Sequence, residues 1–487
     1  METLVEENNM PQSSYRSMTG LRRMLTISLA AVLALSSFLL AACSNGEPDQ
    51  PQRIADYGRY GAAFAEKFAE NYPYRSPGSA MEKAASQLII KELTSLGYDP
   101  QLDPFTYSDQ DGNVRYSRNI WIRIPGTGWT DEQGMLEHRQ VIIGAHYDTA
   151  IDQMFAESQV VPETEEETTA SETETATDPD ASEEPVVRND EILPDWQSYN
   201  GIHDNAAAIG ALLTIARELR DKTLKHDVIL VAFGAGEAKQ AGSSHFAASM
   251  SADEIAATDA MYAMDRLYAG DKIYAHSGWN SLRGSEEKDY QLRRKLYELT
   301  DVFFEYELYT NNGYMLYTNQ NIFSVALPAA EPEPVETEEQ AEAPAGETEG
   351  ESTELTDEAP ELPPEPVYIY REWTVHESDY RPFDQLGIPI VFFDSGDYKI
   401  EAPEEFQESH HPVFSTTNGR VSHTGFDSVT LLDQIFSLVA RDDQASEDAE
   451  EDVIALLDDQ LKRRINNTAF LIMEAIDRDV SQTDTTP

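Results

Sequence analysis

Apolar residues along this chain switch between two periods. From Ala80 to Leu96 (opening Ala-Met-Glu-Lys-Ala-Ala-Ser-Gln-Leu-Ile-Ile-Lys-Glu-Leu) they recur at helical spacing, which predicts one apolar stripe on an amphipathic helix. Val141-Ile142-Ile143-Gly144-Ala145 and Val228-Ile229-Leu230-Val231-Ala232-Phe233 are short uninterrupted apolar runs, the pattern of strands buried on both faces. Ala260 to Met264 and Ile388 to Phe393 predict two more strands of that kind. Between them, residues from about Asn205 to Leu219 predict an Ala-rich helix, and Phe426 to Val439 and Val453 to Ile476 predict closing helices. Strands alternating with helices predict an α/β fold: a mixed, mostly parallel β-sheet sandwiched between helices. In such folds ligand sites gather beyond the carboxyl ends of the strands.

Two stretches break the pattern. Residues from about 157 to 191 and from about 331 to 365 are rich in Glu, Thr, Pro and Ala and poor in large apolar side chains. Segments of that composition cannot bury enough apolar surface to offset chain entropy, so they are expected to be disordered insertions. They hold much of the excess acid in a chain of net charge -54. That balance excludes nucleic acid as a partner, since phosphates would be repelled.

The N-terminus predicts export. Arg22-Arg23 precede an apolar run from Met24 to Leu40, close to the length of a membrane span. Leu40-Ala41-Ala42-Cys43 is similar to a bacterial lipobox, in which the cysteine is lipidated and becomes the first mature residue. An uncleaved anchor helix is the alternative, and either reading puts the remainder outside the cytoplasm. The expected organisation is a lipoprotein signal peptide over 1–43, a linker over 44–54, one domain over 55–480 carrying the two acidic insertions, and a tail over 481–487. Cys43 is the only cysteine, so no intramolecular disulfide can form. The predicted location is the bacterial cell envelope, lipid-anchored on its extracytoplasmic face.

Five polar residues stand at strand ends or in short turns. His146 follows the first buried strand, in Gly144-Ala145-His146-Tyr147-Asp148. Asp204 opens a helix, in Gly201-Ile202-His203-Asp204-Asn205-Ala206. Glu237 follows the second buried strand, Asp265 ends Tyr262-Ala263-Met264-Asp265, and His423 lies in Ser422-His423-Thr424-Gly425-Phe426-Asp427. Two histidines and three carboxylates suit a pair of zinc ions, with one carboxylate bridging and a position left for water. Asp148, two residues after His146, is placed to orient its imidazole. Singly, each of these residues has a structural explanation, Asp204 as a helix N-cap for example.

In that order and context they resemble the co-catalytic zinc aminopeptidase family of peptidase clan MH, which includes bacterial leucyl aminopeptidases, glutamate carboxypeptidases and glutaminyl cyclases. The resemblance covers about Ala80 to Leu456 and includes Ser378-Asp379-Tyr380-Arg381-Pro382-Phe383 followed by Gly387-Ile388-Pro389. It implies that His146 and Asp265 hold one zinc, that Glu237 and His423 hold the other, and that Asp204 bridges. It also implies peptide or protein substrates and hydrolysis by metal-activated water.

One letter departs from it. In Phe233-Gly234-Ala235-Gly236-Glu237-Ala238-Lys239-Gln240-Ala241-Gly242-Ser243 the family has two adjacent glutamates, the general base and then a ligand. Here Gly236 stands in the place of the base. His203, Lys239 and Gln240 depart too, at positions that are not ligands. The expectation is an envelope-anchored zinc exopeptidase, most simply an aminopeptidase, slowed by the missing base. The alternatives are a catalytically inactive surface or binding protein on a peptidase fold and, further off, a glutaminyl cyclase-like acyl transferase. His376, Glu377, Asp379, His410 and His411 are candidates to replace the base, and the sequence does not rank them. Gly236→Glu is expected to separate a chain that lacks only its base from one altered further.

Overall fold

The computed structural model of the protein describes residues 55–130, 133–150, 192–282, 286–309, 314–318, 320–325, 367–372, 374–375, 377–397, 407–444 and 460–478. The predicted signal peptide with Cys43, the linker, the acidic insertions, His376 and the tail from 481 lie outside the described residues.

The elements run in the order α1 (Gly58–Asn71), α2 (Ala80–Ser95), β1 (Gln101–Ser108), β2 (Val114–Ile124), β3 (Trp129–Thr130), β4 (Leu136–Glu137) and β5 (Gln140–His146). A π turn (Ile202–Ala206), α3 (Ala207–Leu219), β6 (Asp227–Phe233), α4 (Ala241–Ser249), α5 (Ala252–Ala257) and β7 (Thr258–Met264) follow. Then come β8 (Lys272–His276), a 3-10 turn (Trp279–Leu282), α6 (Glu286–Glu305), β9 (Leu316–Thr318), β10 (Gln320–Val325) and β11 (Val367–Glu372). Last are α7 (Arg381–Gln385), β12 (Ile390–Gly396), a 3-10 turn (Pro412–Thr417), α8 (Val429–Gln444) and α9 (Gln460–Asp477).

Eight strands form one sheet in the order β1-β2-β6-β5-β7-β12-β8-β9. Its centre is parallel: β5 pairs with β6 and β7, and β7 pairs with β12. The antiparallel pairs β1/β2, β2/β6 and β12/β8 make it a mixed sheet. Strands β10 and β11, which flank the second acidic stretch, form a separate antiparallel pair.

Alternation along the central strands divides the core in two. Val141, Ile143 and Ala145 of β5, with Val228, Leu230 and Ala232 of β6, pack on the face that carries α1, α2, α3 and α9. Ile142, Ile229, Val231 and Phe233 pack on the other, with Ala247 of α4 and Phe383 of α7. Every residue of β5 and β6 is buried, as the unbroken apolar runs predict for strands covered on both sides.

Two boundaries differ from the sequence expectation for reasons that matter below. The helix expected from Asn205 begins at Ala207, because Asp204 and Asn205 have non-helical backbone within the π turn. The helix expected from Phe426 begins at Val429, because the Asp427 backbone carbonyl accepts the N–H groups of Asn200 (3.0 Å) and Gly201 (3.2 Å) outside the helix; its carboxylate accepts those of His203 (2.7 Å) and Asp204 (3.1 Å).

Candidate metal centre

Three adjacent parallel strands deliver three of the singled-out residues to one edge of the sheet. His146 is the last residue of β5, Glu237 lies in the turn after β6, and Asp265 follows β7. The π turn before α3 brings Asp204, and the loop after the 3-10 turn Pro412–Thr417 brings His423, whose backbone is left-handed (φ 60°).

The five side chains divide into two halves around Asp204. His146 Nε2 stands 3.5 Å from Asp204 Oδ1 and 3.4 Å from Asp265 Oδ1. His423 Nε2 stands 3.1 Å from the other oxygen, Asp204 Oδ2, and 2.9 Å from Glu237 Oε1. Asp204 Oδ1 is buried and has no hydrogen-bond partner. The first half is deep and the second more open: the His146 side chain is 7% exposed and that of His423 26%.

The electrostatics call for positive charge. Burial would push the His423 imidazole down, but Glu237 and Asp204 facing it hold it well above its usual value. Burial acts on His146 in the same way, and is outweighed by Asp148 and Asp265. Three carboxylates and two imidazoles, with one buried oxygen left without a partner, match the donor set and open coordination of zinc. His146, Asp265 and Asp204 Oδ1 could hold one ion, and His423, Glu237 and Asp204 Oδ2 a second. His146, Asp204 and Glu237 alone already offer ligand atoms within 4.8 Å of one another.

The backbone around these side chains is gripped by further buried acids. Asp148, expected to orient the His146 ring, stands against it: its backbone carbonyl is 3.1 Å from His146 Nδ1 and its nearest carboxylate oxygen 3.7 Å. The carboxylate is occupied by the next loop, accepting the N–H groups of Gly236 (2.7 Å) and Glu237 (3.0 Å). Asp427 does the same for the N–H groups of His203 and Asp204. Each histidine is thus followed in sequence by an aspartate that holds the backbone of a carboxylate-bearing loop. Glu82 accepts the preceding N–H, of Ala235 (2.9 Å), and the Ser117 hydroxyl (2.6 Å). Burial, with the nearby charge of Asp148, pushes its carboxyl up to about 8.

Two further groups fix the remaining loops. Arg75, fully buried, donates to the carbonyls of Tyr147, Asn200 and Gly201, each at 2.7 Å, and so ties the exit of β5 to the turn bearing Asp204. His203 Nδ1 accepts the N–H groups of Tyr268 (3.2 Å) and Ala269 (3.1 Å), so its proton sits on Nε2, 3.8 Å from Glu408. Glu408 in turn accepts the N–H of Ser422 (2.7 Å), next to His423. None of Arg75, Glu82, Glu408 and Asp427 had been singled out. Ser79-x-x-Glu82 is a capping pattern, and the Ser79 side chain does cap Glu82 N at 3.0 Å, but the glutamate side chain is turned to the β6 loop.

Gly236 is packed against the first histidine. A Cβ there would lie 2.4 Å from His146 Cβ and 2.5 Å from Cγ. Gly236→Glu therefore cannot serve as the clean restoration expected from sequence, because its first added carbon overlaps a candidate ligand. Of the alternative bases, His410 pairs with Asp397 (3.1 Å), and His411 Nδ1 accepts the Val413 N–H (3.3 Å). Glu377 and Asp379 line the cavity at the five-residue cluster, which measures about 150 Å³.

The model of peptidase family M28 matches residues 128–333. That segment belongs to peptidase family M28. The M28 segment contains His146, Asp204, Glu237 and Asp265; His423 lies beyond it. Among solved structures the chain is similar to a zinc aminopeptidase from Bacillus subtilis, at 12% identity and TM-score 0.47, covering 88% of this chain and 98% of that one. It is also similar to a glutaminyl cyclase from Porphyromonas gingivalis, at 14% identity and TM-score 0.45, covering 87% and 99%. A Zn-dependent exopeptidase from Parabacteroides distasonis is similar at 13% identity and TM-score 0.45, covering 87% and 99%. No curated protein matches the chain significantly in sequence.

Proposed function

We propose that this protein is a zinc-dependent exopeptidase, and specifically an aminopeptidase, that binds two zinc ions at His146, Asp204, Glu237, Asp265 and His423. The observation that carries the reading is the division of Asp204: one oxygen faces the His146/Asp265 half and the other the His423/Glu237 half. When bound, such a pair of ions activates water and polarises the scissile carbonyl.

The lining supports recognition of a free amino terminus. Asp204, Glu237, Asp265, Glu377 and Asp379 all border the cavity. Its one arginine, Arg266, is paired with Asp394 at 2.9 Å. With Asp204, Glu237 and Asp265 taken up by the ions, Glu377 and Asp379 are the acids left on the wall, and they favour an ammonium group over a carboxylate. Purified full-length protein should bind two zinc ions per chain and cleave aminoacyl reporter peptides, and chelation should abolish cleavage. Background activity across a broad panel at full zinc occupancy would sink the reading.

Gly236 favours a second reading, a metal-bearing peptidase-fold protein without catalysis. Zinc binding with no hydrolysis of any peptide would select it. In either reading Leu40-Ala41-Ala42-Cys43 supports lipidation and an extracytoplasmic position on a bacterial envelope. Wild type should then incorporate labelled fatty acid and Cys43→Ala should not, and equal labelling of the two would exclude a lipid anchor at Cys43.

A further inference from the structure

The missing base leaves a gap in chemistry, and the cavity contains a group placed to fill it. Asp379 is 3% exposed and lines the same cavity as the five candidate ligands. Among the described residues neither of its carboxylate oxygens has a hydrogen-bond partner. Ser243 is near enough to draw its pKa down, but the Ser243 hydroxyl donates to the Gln240 carbonyl at 3.2 Å. Buried carboxylates are nearly always hydrogen-bonded or paired, so one with both oxygens free, facing a polar cavity, calls for an occupant of that cavity as its partner.

Asp379 is also held firmly. The Ser378 hydroxyl before it donates to Asp265 Oδ2 at 3.3 Å, and the Arg381 N–H donates to the Ser378 carbonyl at 3.0 Å. Tyr380 and Phe383 after it are fully buried in the second core cluster. Asp379 and the five candidate ligands line one cavity of about 150 Å³, so a water lying between them can touch both. Glu377 borders it too, but that residue is exposed to bulk solvent.

We infer that Asp379 is the proton acceptor of this site, in the place that Gly236 no longer fills. The inference rests on the peptidase reading above. In the step, a cavity water gives its proton to an Asp379 carboxylate oxygen while the water oxygen bonds to the scissile carbonyl carbon. The same proton then passes from Asp379 to the leaving amine nitrogen as the C–N bond breaks, and Asp379 returns to its starting charge.

The test compares zinc-loaded full-length wild type with D379N, D379E and E377Q. D379N should lose about 10²–10⁴-fold in kcat, with KM, zinc content and melting temperature unchanged. D379E should recover part of the rate, and E377Q should stay within a few-fold of wild type. A D379N rate within a few-fold of wild type, a loss of zinc in D379N, or an E377Q loss as large as that of D379N would overturn the role of Asp379 and leave the peptidase reading standing. Wild type that binds zinc and cleaves nothing would overturn both.

Discussion

The backbone of Gly236 lies against the side chain of His146 so closely that a Cβ at 236 would stand 2.4 Å from His146 Cβ. The contact is with the root of the imidazole side chain, which cannot swing aside without moving Nε2 away from Asp204 and Asp265. Gly236→Ala is therefore expected to destabilise the fold by about 1–3 kcal/mol, as overpacking does. Gly236→Glu should bind less zinc than wild type and gain no activity. Zinc titration and urea unfolding of both variants check this; a more active Gly236→Glu would show that the loop opens readily.

Asp148 and Asp427 each hold the backbone of a loop that bears a candidate ligand, through its N–H groups. Asp148→Asn and Asp427→Asn should each weaken zinc binding by ~10–100-fold, the usual scale for groups that orient ligands. Asp148→Asn should loosen Glu237 and spare the His146 ring, whose Nδ1 faces the Asp148 carbonyl. Competition titrations against a chromophoric chelator measure the affinities, and histidine NMR reports whether the His146 ring keeps its tautomer.

Zinc should also stabilise the fold. At a free concentration 1,000-fold above Kd, a ligand bound only by the native state adds about 4 kcal/mol. Chelation should thus lower the melting temperature of wild type and leave a His146→Ala/His423→Ala double variant unmoved. Because both imidazoles are held protonated above their ordinary value of 6.5, zinc uptake must displace protons. Zinc affinity should therefore fall as the solution is acidified, which zinc titrations at several pH values measure.

Glu408 gives a stability prediction with a definite sign. Burial would raise its pKa, but the facing His203 and the charge of Arg266 outweigh burial and hold it at about 2, against 4.5 for an ordinary glutamate. A depressed carboxyl contributes stability that is fully present above pH 4.5 and is lost as pH falls toward 2. The stability gap between wild type and Glu408→Gln should therefore be largest near neutral pH and narrow through that window, which urea unfolding at several pH values measures.

Arg75→Met should cost about 3 kcal/mol or more, since it leaves the carbonyls of Tyr147, Asn200 and Gly201 without their donor in a buried setting. Denaturant unfolding reads the loss, and unchanged stability would mean that water replaces the guanidinium.

The central sheet was legible because β5, β6 and β7 read as apolar runs, and the polar residues at their ends, His146, Glu237 and Asp265, therefore stood out. Asp204 and His423 sit in short turns with no apolar run beside them, and the family pattern supplied their roles. Arg75, Glu82, Glu408 and Asp427 were missed for one physical reason: they act on backbone groups far away in the chain, and no local period records such a contact. Asp427 was even read as the first turn of a helix, because a carboxylate there is also an ordinary helix starter. The outer strands β1 and β2 were not anticipated either, since β1 is mostly exposed and carries no apolar run.

Arg75 clasps the chain just before one acidic insertion and just after it, at Tyr147 on one side and at Asn200 and Gly201 on the other. The two ends of that insertion are therefore fastened independently of whatever lies between them. Evolution, or a protein engineer, can lengthen, shorten or rewrite the intervening stretch as a cassette while the register of the catalytic scaffold stays the same.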